Sequence, residues 1–291
     1  KFHDVDIDRY IIDGKLTQMF LSVRELDKEA LDDNAKTWVN QHLKYTHGYG
    51  LTMSPVNKVT SSGQPSMVVR NVPPVSDYKE LEVTVPQIYF GELTNDYVVV
   101  NTDEQEFDYP MGEELQTTKY QGTAGIKLNF LNKVLYSIRE GSFKLLVSGG
   151  VNSDSKIIIN RNIMDRVNKI APFFCYDEDP YAVVVNGKIY YIIDGYTTTK
   201  YFPYAEPFNE NANYIRNSFK VIVDAYNGDV DYYIVDEKDP LVETYSKIFP
   251  KLFKPMSDMP KEFVSHLRYP QTMFDIQAKM YGTYHTNQPD I

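Results

Sequence analysis

Three tight-turn dipeptides, Asp13-Gly14, Asn186-Gly187 and Asn227-Gly228, each sit between two strand-like runs. A two-residue hairpin loop needs positive φ at both positions, which Asn, Asp and Gly tolerate and most residues resist. The runs 5–12 and 16–23 flank the first turn, 181–185 and 189–193 the second, and 219–226 and 230–235 the third. Thr94-Asn95 joins 86–92 to 97–101 in the same manner, which predicts a fourth hairpin. A chain punctuated this way folds through antiparallel pairing. The turns fall at irregular intervals, so a propeller or solenoid repeat is not supported.

Helical periods lie between the hairpins. Ser22 and Glu25 have capping-box spacing and predict a helix start. Ala35, Trp38, Val39, His42 and Leu43 share one face at helical spacing, as do Leu128, Leu131, Leu135 and Ile138 before a stop at Gly141. Ile163, Val167 and Ile170 form a shorter face ending before Pro172. Segments 240–249, 260–267 and 270–281 each open with proline, a favoured first helical residue. Strands and helices do not alternate one for one, which disfavours a doubly wound parallel sheet. The expectation is an α+β fold: mainly antiparallel β-hairpins and meander, interspersed helices, and a helical C-terminal tail. No clear boundary appears; any division falls between a mixed lobe over 1–170 and a meander with its tail over 171–291.

A net charge of −10 repels phosphate backbones, and no Lys/Arg stripe overrides it, so nucleic acid is excluded as a partner. The same sign opposes tight adhesion of the whole chain to anionic lipid. Cys175, the one cysteine, lies between Phe174 and Tyr176 and is expected as a small buried hydrophobe. No stretch approaches the roughly 18 apolar residues of a membrane span. The chain starts at Lys1 without a signal peptide, as expected of a soluble piece of something larger.

The run from Thr37 to Gly50 packs His42, His47, Trp38, Tyr45 and Tyr49 together with two glycines. Five residues apart, the histidines project about 140° apart on a continuous helix, so shared ligation needs the chain to turn back. Zinc would require further ligands from His3, His266, His285 or a carboxylate, and no His-Glu-x-x-His pair exists. A histidine tying a glycine-rich turn to the core is the plainer expectation. Asp4, Asp6 and Asp8 alternate, which puts their carboxylates on one side of a strand about 7 Å apart. Calcium would neutralise them, although Arg9 and Lys15 break the EF-hand pattern. A second acidic group, Asp224, Asp229, Asp231 and Asp236, surrounds Asn227-Gly228, where turn chemistry suffices as an explanation. No nucleophile elbow, P-loop or dinucleotide fingerprint is present, and no catalytic residue is assigned. Trp38, His42, Tyr45, His47, Tyr196, Tyr201 and Tyr204 are the candidate binding residues. The last three lie in a hydroxyl-rich, loop-like segment over 194–204.

Several motifs together carry a resemblance: Asp4-Val-Asp-Ile-Asp-Arg-Tyr10, Leu21-Ser-Val-Arg-Glu-Leu-Asp27, the run from Trp38 to Gly50, Glu106-Phe-Asp-Tyr-Pro110, Asn213-Tyr-Ile-Arg-Asn-Ser218 and His266-Leu-Arg-Tyr-Pro270. With these the whole chain resembles the bacterial membrane proteins of uncharacterised protein family 0182. The resemblance implies N-terminal membrane helices absent from this chain, followed by a large extracytoplasmic region of which this is the first part. It supplies no catalytic or binding residues. The leading expectation is a binding or assembly module for an envelope protein or glycan, held at the cell membrane. The alternatives are a metal-assisted envelope hydrolase and a structural cap on the membrane helices. A cap predicts an apolar patch around the N-terminal strand.

Overall fold

The computed structural model describes Phe2 and residues 4–285, without the side chains of 284 and 285. In chain order its strands begin β1 (Asp6–Ile12), β2 (Lys15–Val23), β3 (Gly48–Tyr49), β4 (Leu51–Pro55), β5 (Val69–Arg70), β6 (Val75–Ser76) and β7 (Gln87–Ile88). They continue with β8 (Val98–Val100), β9 (Glu106–Met111), β10 (Glu114–Thr118), β11 (Ile126–Lys127) and β12 (Lys156–Ile158). The last are β13 (Cys175–Tyr176), β14 (Tyr181–Val185), β15 (Lys188–Thr199), β16 (Tyr214–Asp224), β17 (Val230–Ile234) and β18 (Phe253–Pro255). The α-helices are α1 (Phe130–Arg139), α2 (Lys144–Val147), α3 (Ile163–Ile170), α4 (Pro240–Ile248), α5 (Lys261–Val264) and α6 (Gln271–His285). Pairing is mainly antiparallel, with β17 and β18 parallel, so the fold is α+β. No helix among the described residues is long and apolar enough to cross a membrane.

Two compact units form. The first comprises residues 1–167, 182–190 and 224–229; the second comprises 168–181, 191–223 and 230–291. In the first unit a five-stranded sheet runs β1-β2-β4-β5-β6, beside the smaller sheets β11-β12-β8, β10-β9 and β3-β7. Its hairpin β1–β2 closes over Asp13 and Gly14, at φ 50° and 73°, and β14–β15 closes over Asn186 and Gly187, at 50° and 77°. Both are the positive-φ turns that these residue pairs favour. The Asn227-Gly228 turn is wider. Asp224 Oδ1 accepts from the N–H groups of Tyr226 (2.7 Å) and Asn227 (3.0 Å), and Gly228 N–H donates to Asp224 O at 2.7 Å. Turn chemistry thus occupies Asp224. In the second unit Asp231 pairs with Lys254 and Asp236 with Arg216.

The Thr94-Asn95 hairpin does not form. β7 pairs with β3 and β8 with β12, because side chains hold the turn that a partner strand would otherwise hold. Glu25 accepts the backbone N–H groups of Glu92 and Leu93, both at 2.8 Å, and Thr94 Oγ1 bonds Gly91 on both sides. The same contact removes the capping box: Glu25 serves a distant loop, and Ser22 lies in β2, where its hydroxyl donates to Asp4 O.

The 35–43 period gives a five-residue π-helical turn, Asn40–Lys44, closed by Tyr45 N–H on Asn40 O at 2.8 Å. Leu43 from this turn enters a core cluster with Tyr97, Val99, Leu128, Leu145, Val151 and Ile157. α1 begins where Asn129 Oδ1 accepts from Asn132 N–H and stops before Gly141, at φ 61°. Leu128 is buried as expected, but Leu131, Leu135 and Ile138 face outward. The inward face of α1 instead carries Tyr136, packed on the core cluster, buried Ser137, and Lys133, whose ammonium donates to Val151 O at 2.6 Å.

α3 stops before Pro172, and in the second unit α4 opens on Pro240 behind its cap Asp239. α5 is shorter than the 260–267 expectation and α6 longer than 270–281. Its core is aromatic: Phe174, Phe219, Tyr232 and Phe253 meet edge to face or tilted, with centroids 4.7 to 6.1 Å apart. Cys175 is exposed, which corrects the expectation of burial: strand alternation turns Phe174 inward and leaves the thiol outside, 3.6 Å from Thr198 Oγ1. Residues 194–199 belong to β15 and are not a loop. Gly195 lies flat under Phe219, where a Cβ would stand 2.0 Å from the ring. Gly195→Ala should therefore destabilise the protein by about 1–3 kcal/mol, the usual range for overpacking, read as a lower urea midpoint at unchanged slope.

Candidate functional site

The first unit contains a polar cleft of about 430 Å³ lined by Lys28, His42, Asp96 and Arg161, with Leu26 and Leu93 on its walls. Three local devices position these side chains. A short 3₁₀ turn, Lys28–Ala30, is capped by Asp27, whose Oδ1 accepts from Glu29 N–H at 3.1 Å. The π-helical turn sets His42, and such turns allow a side-chain direction that an ordinary α-turn does not. Arg161 directly precedes Asn162, whose side chain accepts from Met164 and Asp165 N–H at the start of α3.

Arg161 is 2% exposed, and its guanidinium is spent on the protein. Nε donates to Tyr89 O at 2.7 Å, one terminal nitrogen to Thr46 O at 2.5 Å, and the other to Asp96 O at 3.3 Å and Oδ1 at 3.4 Å. Lys28 donates to Asp96 Oδ2 at 2.6 Å and to Gln41 O. Burial, reinforced by the Arg161 charge, lowers the Lys28 ammonium from 10.5 to about 8, against the opposing pull of Asp96.

His42 has a defined tautomer. Its Nδ1 is 2.8 Å from Tyr97 O, and a carbonyl only accepts, so Nδ1 carries the proton. Burial lowers the His42 pKa, which keeps the ring neutral and leaves a lone pair on Nε2. No described residue bonds Nε2. The ring stacks on Tyr97 at 4.1 Å and 9°, and Trp38, tilted at 5.7 Å, donates its indole N–H to Tyr97 Oη at 2.9 Å. Asp96 Oδ2 stands 3.8 Å from His42 Nδ1, and its side chain is 37% exposed. The cleft therefore presents acceptors to solvent, while its cations are largely committed inward.

His47 belongs to a different, buried network. Its Nδ1 lies 2.8 Å from Thr46 Oγ1 and its Nε2 3.1 Å from Asp108 Oδ1. Glu106 is 1% exposed and accepts from Thr46 Oγ1 (2.6 Å), Tyr89 Oη (2.8 Å) and Tyr120 N–H (2.9 Å). Gln87 also donates to Asp108, at 3.0 Å. This network ties the glycine-rich turn to β9. Tyr45 packs edge-on to Phe107, and Tyr49 against Tyr109.

The alternating aspartates divide between surface and interior. Asp4 is exposed, whereas Asp6 and Asp8 sit on the buried face of β1, Asp6 accepting from Ala182 N–H at 2.9 Å. In the second unit Tyr196 is buried and donates to Asp177 at 2.5 Å, while Tyr201 and Tyr204 are exposed. His266 is buried; His3 and the His285 side chain lie outside the described residues. Of the residues singled out in the sequence, His42 lines this cleft and Trp38 stands behind it on Tyr97, while Lys28, Asp96 and Arg161 were not among them. Lys28 and Asp96 read as ordinary loop charges. The only signal for Arg161 was its place beside a helix-capping asparagine.

The model of the uncharacterised protein family UPF0182 matches residues 1–291. A UPF0182 protein of Alkaliphilus metalliredigens (strain QYMF) is 58% identical over 292 residues, covering all of this chain and 31% of the relative. UPF0182 proteins of Clostridium botulinum (strain Kyoto / Type A2) and Pelotomaculum thermopropionicum are 53% and 51% identical, with this chain covering 32% of each. The chain thus spans about a third of the length of these relatives. No solved structure matches.

The Lys28 shift has a stability consequence. Below about pH 8 the folded and unfolded states both hold the proton; between about 8 and 10.5 the unfolded state holds more. Stability attributable to this group then rises with pH across that window. Wild type should gain stability relative to Lys28→Met between pH 8 and 10 in urea titrations, and a constant difference would contradict a desolvated ammonium.

Proposed function

Since the chain belongs to the uncharacterised protein family UPF0182, which carries no activity with it, we propose from the cleft that it is a binding module recognising a neutral, hydroxyl-rich ligand of the bacterial envelope. The module is proposed as the extracytoplasmic part of a longer membrane-held protein. One observation carries the ligand class: His42, whose Nε2 is an acceptor with no donor among the described residues, lines the cleft together with the partly exposed Asp96 carboxylate. Acceptors of this kind select hydroxyl or amide donors. The committed Lys28 and Arg161 make the cleft a poor anion site. Leu26 and Leu93 provide apolar wall for a sugar ring.

A second reading, assembly against the rest of a longer protein, is favoured by β1. Its acids face inward, while Val5, Ile7 and Ile11 project outward with Phe2 and, across the turn, Leu16. A groove of about 360 Å³ lined by Phe2, Val5, Phe20, Met53, Pro65 and Met67 adjoins that face. Such a face suits an apolar partner surface, as a cap on membrane helices would need.

Soluble cell-wall glycan fragments should raise the melting temperature of the chain saturably by several degrees. His42→Ala should remove the rise while keeping the circular dichroism of the wild type. If no fragment shifts the wild type, the glycan proposal fails. For the second reading, Ile11→Asp should leave the melting temperature of this chain unchanged and lower the yield of folded full-length protein. Equal yields would remove it.

A further inference from the structure

α1 is an amphipathic helix mounted with its polarity reversed. At 100° per residue Phe130, Leu131, Leu135 and Ile138 share one half of the circumference, and all four are exposed, Phe130 at 79% and Ile138 at 75%. Phe143 and Val147, which flank and end α2, are exposed as well and extend the patch. The opposite half, turned to the protein, holds Lys133, Tyr136, Glu140 and the buried hydroxyl of Ser137, which has no hydrogen-bond partner among the described residues. Monomeric surfaces rarely expose this many large apolar side chains on one continuous face.

The charges around the face indicate its occupant. In a chain of net charge −10, residues 126–148 carry four cations, Lys127, Lys133, Arg139 and Lys144, against one carboxylate, Glu140, which Arg139 engages at 3.2 Å. Lys127, Arg139 and Lys144 are exposed beside the apolar row. A second copy on a two-fold axis would set like charges against each other. The face is a convex helix, not a cavity. A convex apolar face rimmed by cations fits the boundary between phosphate headgroups and acyl chains.

We propose that α1 and the following turn through Val147 form a docking surface for anionic lipid. The six apolar side chains enter the acyl boundary, and Lys127, Arg139 and Lys144 sit at the phosphates. The chain's negative charge opposes adhesion as a whole, so the local patch sets the orientation on the membrane. This inference is independent of the cleft and its ligand.

The test is co-flotation of the chain with vesicles of phosphatidylglycerol mixed with phosphatidylcholine, against phosphatidylcholine alone. Binding should be about tenfold stronger to the anionic vesicles and fall with added salt, as electrostatic attraction joined to apolar burial requires. The double variant Leu131→Gln, Ile138→Gln should lose vesicle binding about tenfold at an unchanged melting temperature, since both side chains are exposed. The pair Lys127→Glu, Lys144→Glu should lose the anionic preference. No flotation of the wild type, flotation unaffected by these variants, or a concentration-dependent dimer that the Leu131 and Ile138 changes dissolve would each overturn the proposal.

Discussion

The Arg161 guanidinium, wholly out of water, is the constraint around which the first unit is organised. A guanidinium does not shed its proton in a protein, so removing it from solvent requires an acceptor for nearly every N–H. Those acceptors are the carbonyls of Thr46, Tyr89 and Asp96 and the Asp96 carboxylate. Two segments far from it in sequence, one at Thr46 and one over 89–96, are thereby fixed to one side chain. The consequence passes outward: Asp96, held by Arg161, holds Lys28, and Lys28 in turn grips the π-helical turn through Gln41 O. The orientation of His42 follows from that turn and from Tyr97, the residue after Asp96. A site residue and its supports are therefore one hydrogen-bonded unit.

Buried carboxylates repeat the device elsewhere. Glu25 closes the 91–94 turn through two backbone N–H groups, and Glu106 gathers Thr46, Tyr89 and Tyr120. In the second unit Asp239 accepts from Thr197, Ser218 and Tyr214 while capping α4. Each satisfies several donors that a short strand or loop would leave unpaired, and an unpaired buried donor costs about 1–3 kcal/mol. Many strands of the first unit are only two or three residues long, so side-chain bonds supply order that longer ladders would give.

What the sequence made legible was local. Asp13-Gly14 and Asn186-Gly187 require positive φ and take it; Pro240 behind Asp239 starts a helix; Gly141 ends one. These signals involve neighbours in the chain. The failures involve distant partners. Ser22 and Glu25 have the spacing of a capping box, yet Glu25 bonds a loop 67 residues away, which spacing does not encode. The site shows the same split: His42 stood out as a residue type, whereas Asp96, Lys28 and Arg161 acquire their meaning from each other.

Periodicity also reports that a face is apolar without saying which way it turns. In α1 the apolar row points away from the protein and the polar row into it, and in β1 Ile7 and Ile11 point away while Asp6 and Asp8 turn inward beside Tyr10 and Ile12. The two exposed rows differ in charge. The exposed row of β1 carries one cation, Arg9, among apolar side chains, and the neighbouring Phe2 and Val5 line a largely apolar groove, which suits close packing against protein. α1 is rimmed by three exposed cations in an acidic chain, which suits a surface of phosphates. A core counted from apolar periodicity alone assigns both rows to the interior. The buried partners of the polar rows, Ala182 N–H for Asp6 and Val151 O for Lys133, are what fix the opposite orientation. Turning either element over would break those bonds and leave Val151 O or Ala182 N–H unpaired, so the apolar faces stay outside.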